Sequence, residues 1–127
     1  MSTAQELELT LPRRLRQLAL ALDQVVETIA CQGTALEAAS FKVGTKAFLF
    51  IGKKDARLKL QASLPTAHAL MAQSGSVKVG AMNWVTLVFD ETLTLETEVL
   101  KTWVEESYQL MAPTRLRKSP GAGKGSV

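Results

Sequence analysis

Apolar residues recur every three or four positions along the first part of the chain, which is the spacing of one face of an α-helix. The series includes Leu15, Leu18, Leu22, Val25 and Ile29. It predicts a helix over residues 11–30, with Thr10 as its N-cap and Pro12 in its first turn, where a missing N–H costs nothing. Gly33 is predicted to supply the left-handed residue after the end of this helix.

The middle of the chain changes to a period of two, which is typical of β-strands. Residues 40–61 are predicted to form a three-stranded antiparallel meander. The central strand, residues 46–51, is apolar at successive positions, so we expect both of its faces to be buried, with Phe48 and Phe50 in the core. The charged residues of the meander then point away from the core, which makes its outer face basic.

The second half of the chain predicts two more helices and further strands. These are a short helix at residues 63–73 with Ser63 as cap, an edge strand at residues 77–79, a strand at residues 84–89 and a last helix at residues 95–111 with Thr94 as cap. Helices at both ends with strands between them indicate an α+β fold. We expect a two-layer sandwich in which a mostly antiparallel sheet of about four to five strands carries the N- and C-terminal helices on one face.

Length and composition are those of one globular domain. The chain has 127 residues, of which 46% are hydrophobic and 21% are charged. We expect the domain to span residues 10–116, between a flexible N-terminus (residues 1–9) and a flexible, basic, glycine-rich tail (residues 117–127). No apolar run approaches the ~20 residues that span a bilayer, the N-terminus lacks the features of a signal peptide, and Cys31 has no disulfide partner in the chain. We therefore expect a cytoplasmic protein with no membrane partner.

The net charge of +3 hides a segregation of charges along the chain. Four basic residues lie in the last 14 positions, so the domain itself is nearly neutral. Within the domain, residues 42–59 hold six basic side chains and one acidic one, whereas residues 90–106 hold six acidic side chains and one basic one. Two such poles give the protein a dipolar field that can orient a partner.

Basic side chains on adjacent strands can follow a row of phosphates, with contacts that depend on salt and carry little sequence information. The candidate nucleic-acid-binding residues are Lys42, Lys46, Lys53, Lys54, Arg57, Lys59 and Lys78. With Phe48 and Phe50 assigned to the core, the outward positions of the meander lack the aromatic side chains on which single-strand binders stack bases.

No arrangement of residues in the sequence predicts an enzyme. His68 is the only histidine, so a His-based metal site with the usual ligand spacing is excluded. We expect His68 to be structural or on the surface, and Cys31 to be a small buried residue. Glu105 and Glu106 are adjacent on the predicted last helix and therefore diverge, which indicates a solvated acidic face. We expect no catalytic residues, no cofactor and no metal.

Four segments of the chain resemble the MmcQ/YjbR-like family in order and spacing. They are residues 46–50 (KAFLF), 56–60 (ARLKL), 84–87 (WVTL) and 100–113 (LKTWVEESYQLMAP). The resemblance implies an α+β fold of the CyaY/frataxin type and a DNA-binding role, with neither an enzymatic activity nor a cofactor. By position, Lys46, Lys59 and Trp84 match recurrent residues of the family. Frataxin-type iron binding needs an acidic first helix, whereas this one begins with arginines, so we expect no iron site.

The leading hypothesis is a non-enzymatic module that presents its basic meander to DNA, helped by Arg13, Arg14, Arg16 and the tail. The alternative is a module that docks a polypeptide, or a second copy of itself as a homodimer, through its acidic last helix or its dipolar surface. A third hypothesis is a small-molecule pocket between the sheet and the helices near Trp84. The leading hypothesis requires the cationic side chains of the meander to emerge together on the solvent-facing side of the sheet.

Overall fold

The computed structural model describes residues 10–89 and 95–113 as three helices and a six-stranded antiparallel sheet. The helices are α1 (Leu11–Leu20), α2 (Leu64–Gln73) and α3 (Thr97–Met111). The strands are β1 (Val25–Ala30), β2 (Ala38–Val43), β3 (Lys46–Ile51), β4 (Asp55–Lys59), β5 (Val77–Val79) and β6 (Trp84–Val88). Their order across the sheet is β1-β2-β3-β4-β6-β5. The predicted α+β class is confirmed, and the sheet is slightly wider than expected.

Most elements of the prediction are confirmed, including the meander (β2 to β4), the edge strand β5, and helices α2 and α3. Thr10 and Ser63 occupy the N-cap positions of α1 and α2, but neither side chain caps its helix by a hydrogen bond. Glu96 occupies the N-cap position of α3. The predicted cap Thr94 and the two ends that we expected to be flexible lie outside the described residues.

The prediction of one helix over residues 11–30 is wrong in its second half. α1 stops at Leu20, and the chain then passes through Gln24, whose φ of 60° is left-handed, before β1 begins. The apolar spacing fits a helix, but the local composition and pairing with β2 along the whole of β1 favour a strand. The β-branched residues of β1 are Val25, Val26, Thr28 and Ile29. Gly33 is left-handed as predicted (φ 81°), but it lies in the loop after a strand and caps no helix.

The helices α1 and α3 pack against each other and against one face of the sheet, as expected. The core between these layers is apolar. Its fully buried large side chains include Leu15, Phe41, Leu58, Leu87, Leu100 and Trp103. The helix α2 lies along the edge strand β5, where the Val79 N–H donates to the Met71 sulfur at 3.3 Å. Each fully buried large aliphatic side chain contributes about 1.5–3 kcal/mol, so the layer between α1, α3 and the sheet is the main source of stability.

A β-bulge in β3 changes which side chains enter this core. The register between β2 and β3 shifts after Phe41, so Phe48 has no direct partner on β2. Phe48 and Leu49 are both fully buried. Phe48 meets Tyr108 of α3 edge to face, with ring centroids 5.5 Å apart, while Leu49 pairs with Phe41. The extra residue reverses the alternation of side chains, so Phe50 projects to the opposite face.

The helix α3 joins the sheet at the point where β3 and β4 separate. Direct pairing between these strands extends only as far as Leu49 and Leu58. Beyond that pair, the fully buried Ser107 hydroxyl accepts a hydrogen bond from the Lys59 N–H (2.9 Å) and donates one to the Phe48 carbonyl (2.5 Å). One side chain of α3 thus satisfies two backbone groups beside the bulge.

The neighbours of Ser107 attach α3 to two other parts of the chain. The Glu106 carboxylate accepts hydrogen bonds from the Gln61 N–H and from the N–H (3.1 Å) and hydroxyl (2.7 Å) of Ser63, just before α2. The Tyr108 hydroxyl donates to the Asp23 carbonyl at 2.8 Å, in the segment between α1 and β1. The expectation of a merely solvated acidic face is therefore wrong for Glu106, because its carboxylate binds backbone and side-chain donors.

We predict that Ser107→Ala lowers the free energy of unfolding by about 1–3 kcal/mol, because it leaves the Phe48 carbonyl and the Lys59 N–H without a partner. Urea denaturation followed by circular dichroism measures this change. Thr102→Ala, on the exposed side of the same helix, is the control and should change the value by less than about 0.5 kcal/mol. Equal stabilities for the two variants would contradict the bridging role.

Candidate functional site

The face of the sheet away from α1 and α3 carries a surface whose composition follows from the strand register. Paired residues of neighbouring antiparallel strands project to the same side. One row crosses all six strands through Thr28, Ser40, Phe50, Arg57, Thr86 and Lys78. Beside it, Lys59 pairs with Trp84, and Lys42 lies two residues beyond Ser40 on β2. We call the surface around these nine residues, of which Ser40 is itself buried, the open face.

The open face brings together four of the seven predicted basic residues. They are Lys42, Arg57, Lys59 and Lys78. Arg57 and Lys78 are exposed, and the other two are partly buried along their length, as long cationic side chains often are when the charged end remains in water.

The other three predicted basic residues lie elsewhere. Lys53 and Lys54 are exposed in the loop between β3 and β4, at one end of the open face. Lys46 pairs with Val43, a buried residue of the helix-covered side. The structure therefore does not bring Lys46 onto the open face.

None of the four cations of the open face has an ion-pair partner among the described residues. Within residues 10–89 and 95–113, the single ion pair joins Arg16 of α1 to Glu27 of β1, at 2.7 Å. Asp55, which pairs with Val88 next to the Arg57 row, is an acid on the same side of the sheet. Arg14 donates to the Leu95 carbonyl at 3.3 Å. Arg14 and Arg16, which we expected to assist the meander, are thus engaged on the helix-covered side of the sheet, with Leu95 and Glu27.

An aromatic pair occupies the middle of the open face. The rings of Phe50 and Trp84 lie 5.9 Å apart between centroids, and both side chains are partly exposed. The Arg57 guanidinium carbon lies over the Phe50 ring, 5.0 Å from its centroid, which is cation–π geometry. The assignment of Phe50 to the core is therefore wrong, because the bulge at Phe48 sends it to the other side. The expectation that the outer face lacks aromatic residues is wrong for the same reason.

A strained turn precedes Trp84. Met82 and Asn83, in the single 3₁₀ turn Ala81–Asn83, have left-handed φ values of 57° and 68°. Asn tolerates this conformation, but Met rarely adopts it. The turn is held by the Gly80 N–H bonded to the Trp84 carbonyl (2.8 Å) and by the Leu60 N–H bonded to the Asn83 carbonyl (3.1 Å). These bonds fix the point at which β6 begins.

A groove of about 660 Å³ adjoins the aromatic pair on its β3 side and is lined by Phe50 and by Arg57, which lies over the Phe50 ring. Its other walls are the loop after β1 and the loop between β3 and β4. A second cavity, of about 540 Å³, lies between the end of α1 and α3 and is lined by Asp23 and Tyr108 among others. Trp84 lines neither of these two cavities, so neither supports a small-molecule pocket beside it.

Neither His68 nor Cys31 belongs to a cluster of metal-ligating side chains in the described part of the chain. His68 is exposed on α2. Cys31 is exposed in the loop after β1, so the expectation that it is buried is wrong. Among residues 10–89 and 95–113, no three His, Cys, Asp or Glu side chains come together as a metal site requires. None of the helices in those ranges has the length and apolar content to cross a membrane.

The sequence that builds these elements has a counterpart among protein families. The family model described as YjbR matches residues 20–110, from the end of α1 through all six strands and into α3. The chain belongs to the YjbR family. A search among curated proteins finds no match.

In this YjbR chain, the segments that carry the family resemblance divide between two roles. Glu106, Ser107 and Tyr108 of the last segment hold α3 to the rest of the fold. Lys59 and Trp84, from two other segments, stand beside each other on the open face. In this chain, the segments therefore join a structural cluster on the covered side of the sheet to a basic and aromatic surface on the other side.

We predict that Lys59→Gln and Lys78→Gln each change the free energy of unfolding by less than about 0.5 kcal/mol, because neither amine has a carboxylate partner among the described residues. Urea denaturation of the two variants beside the unaltered chain measures this. A loss of more than about 1 kcal/mol in either variant would show that the cation has a structural role.

Proposed function

We propose that this protein is a non-enzymatic, cytoplasmic DNA-binding module that presents its open face to the phosphate backbone. The observation that carries the proposal is the gathering of Lys42, Arg57, Lys59 and Lys78 on one side of the sheet, with no ion-pair partner among the described residues. Cations arranged in this way release counterions when they bind phosphates, which favours binding at low salt.

The spacing of these cations suits an extended anionic chain. Arg57 and Lys59 are two residues apart on β4, which separates their Cα atoms by ~6.7 Å. Arg57 and Lys78 lie in one row with β6 between their strands, which separates them by ~9.6 Å. The exposed Lys53 and Lys54 extend the positive surface at the loop end. Contacts of this kind position a nucleic acid without reading its base sequence.

The fold is compatible with this function. Both terminal helices cover the same face of the antiparallel sheet, which supports our proposal that the fold is of the CyaY/frataxin type. Among the described residues, the two terminal helices leave the opposite face uncovered, and we assign that face to the partner. The alternative, polypeptide docking through the acidic last helix, has less support, because Glu106 is already bound to residues before α2.

We predict that Lys59→Gln and Lys78→Gln weaken DNA binding several-fold at low salt and each reduce the slope of log affinity against log salt concentration by about one, since each removes one phosphate contact. Fluorescence anisotropy with labelled 20-nucleotide DNA at several salt concentrations measures both quantities. The background should be the full chain with Arg115, Arg117, Lys118 and Lys124 changed to Gln, so that the basic tail does not mask the effect.

The matched control is Lys101→Gln, which removes an exposed cation from α3 in the other layer. It should leave the affinity and the salt slope unchanged. Binding that persists only when the tail is basic would assign the affinity to the tail. No binding to DNA of any form at low salt would overturn the proposal and favour the polypeptide alternative.

A further inference from the structure

We infer that the open face recognises unpaired bases, so that its ligand is single-stranded nucleic acid and not the intact duplex. This inference rests on the proposed function and specifies its substrate. The observation behind it is the Phe50–Trp84 pair, which stands among the cations that would contact phosphates.

The width of the sheet argues against recognition of a duplex groove. Six strands at a spacing of ~4.8 Å form a surface about 24 Å across. The major groove of B-form DNA is ~12 Å wide and admits a helix or a two-stranded ribbon. A surface twice as wide does not fit into that groove, and the base faces on which an aromatic ring could stack are inside the helix. The aromatic pair would then have no partner.

A single strand of nucleic acid can contact both the aromatic rings and the cations of the open face. Each of two adjacent rows holds one aromatic ring beside one cation: Phe50 beside Arg57, and Trp84 beside Lys59. A base can stack on the rings or on the Arg57 guanidinium plane, which already lies over Phe50. The neighbouring cations are then in position for the phosphates on either side of that base. Stacking of this kind tolerates any base, since all bases have a π-face.

The groove beside Phe50 extends the same surface. Its volume of about 660 Å³ is in the range of small-molecule sites, and it is lined by Phe50 of the aromatic pair and by Arg57. Lys53 and Lys54 line it from the loop between β3 and β4. The acids Glu37 and Asp55 also line it, so a nucleic-acid strand that leaves the aromatic pair toward β3 enters a groove in which the cations Lys53, Lys54 and Arg57 outnumber the acids.

The test compares three fluorescent ligands on the tail-neutralised full chain: a 12-nucleotide oligothymidine, an abasic 12-mer with the same phosphates, and a 12-base-pair duplex. We predict that oligothymidine binds about tenfold or more tightly than the abasic strand, because only the former can stack. It should also bind more tightly than the duplex. Because this comparison needs no change to the open face, it decides the question even if an aromatic variant fails to fold.

Substitutions of the two aromatic residues show which ring stacks on a base. Trp84→Leu and Phe50→Leu keep apolar cover but remove the ring, and each should weaken oligothymidine binding about tenfold while leaving abasic binding unchanged. Trp84→Phe should retain most of the affinity. Leu20→Ala, which removes an exposed apolar side chain of α1 (42% exposed), is the matched control and should have no effect. Thermal melting of each variant shows whether it is folded.

Tryptophan fluorescence provides a second readout. The chain has two tryptophans, and Trp103 is buried in the core with 1% of its surface exposed. Oligothymidine should quench the emission of the unaltered chain but not that of Trp84→Phe. Equal affinity for oligothymidine and the abasic strand, or tighter binding of the duplex, would overturn this inference and leave phosphate binding intact. No binding of any of the three ligands would instead overturn the proposed function.

Discussion

The hydrogen bonds of the Ser107 hydroxyl determine what the two faces of the sheet can hold. A bulge leaves backbone groups without ladder partners, and buried groups of that kind are costly unless something else bonds to them. The Ser107 hydroxyl bonds to two such groups, the Phe48 carbonyl and the Lys59 N–H. The bulge is thereby stabilised, Phe48 turns toward α3, and Phe50 turns away from it. A hydroxyl on the helix-covered side thus controls the placement of an aromatic ring on the opposite surface.

The sequence predicts the layer arrangement because the relevant signals are local. Strict alternation around Leu58 identifies β4, and a run of branched and aromatic residues from Trp84 identifies β6. The amphipathic spacing around Trp103 identifies α3. These patterns reflect burial of one face by each element, and burial is what holds the two layers together. The α+β class therefore follows from periodicity.

The candidate site is less predictable from the sequence because it depends on how neighbouring strands pair and in which register. An apolar run such as residues 46–51 gives no sign of where an extra residue shifts the register, so Phe50 was assigned to the wrong face. In residues 22–29 two signals conflicted, helical spacing and β-branched composition, and only the partner strand β2 resolves them. The basic residues were identified from charge alone, yet which of them share a surface follows from pairings that the linear pattern does not contain.

The ion pair between Arg16 and Glu27 has a consequence for solubility. β1 is an edge strand of the sheet and has one strand partner, β2, among the described residues, and its exposed Val26 and Ile29 (58% and 54%) would make contact with a second chain attractive. A charge on the inward side of an edge strand is a known obstacle to intermolecular pairing. Glu27 is such a charge, and Arg16 anchors it in place. The pair is worth little in stability, so its physical consequence is that a fixed charge stands where a second strand would have to approach the β1 edge.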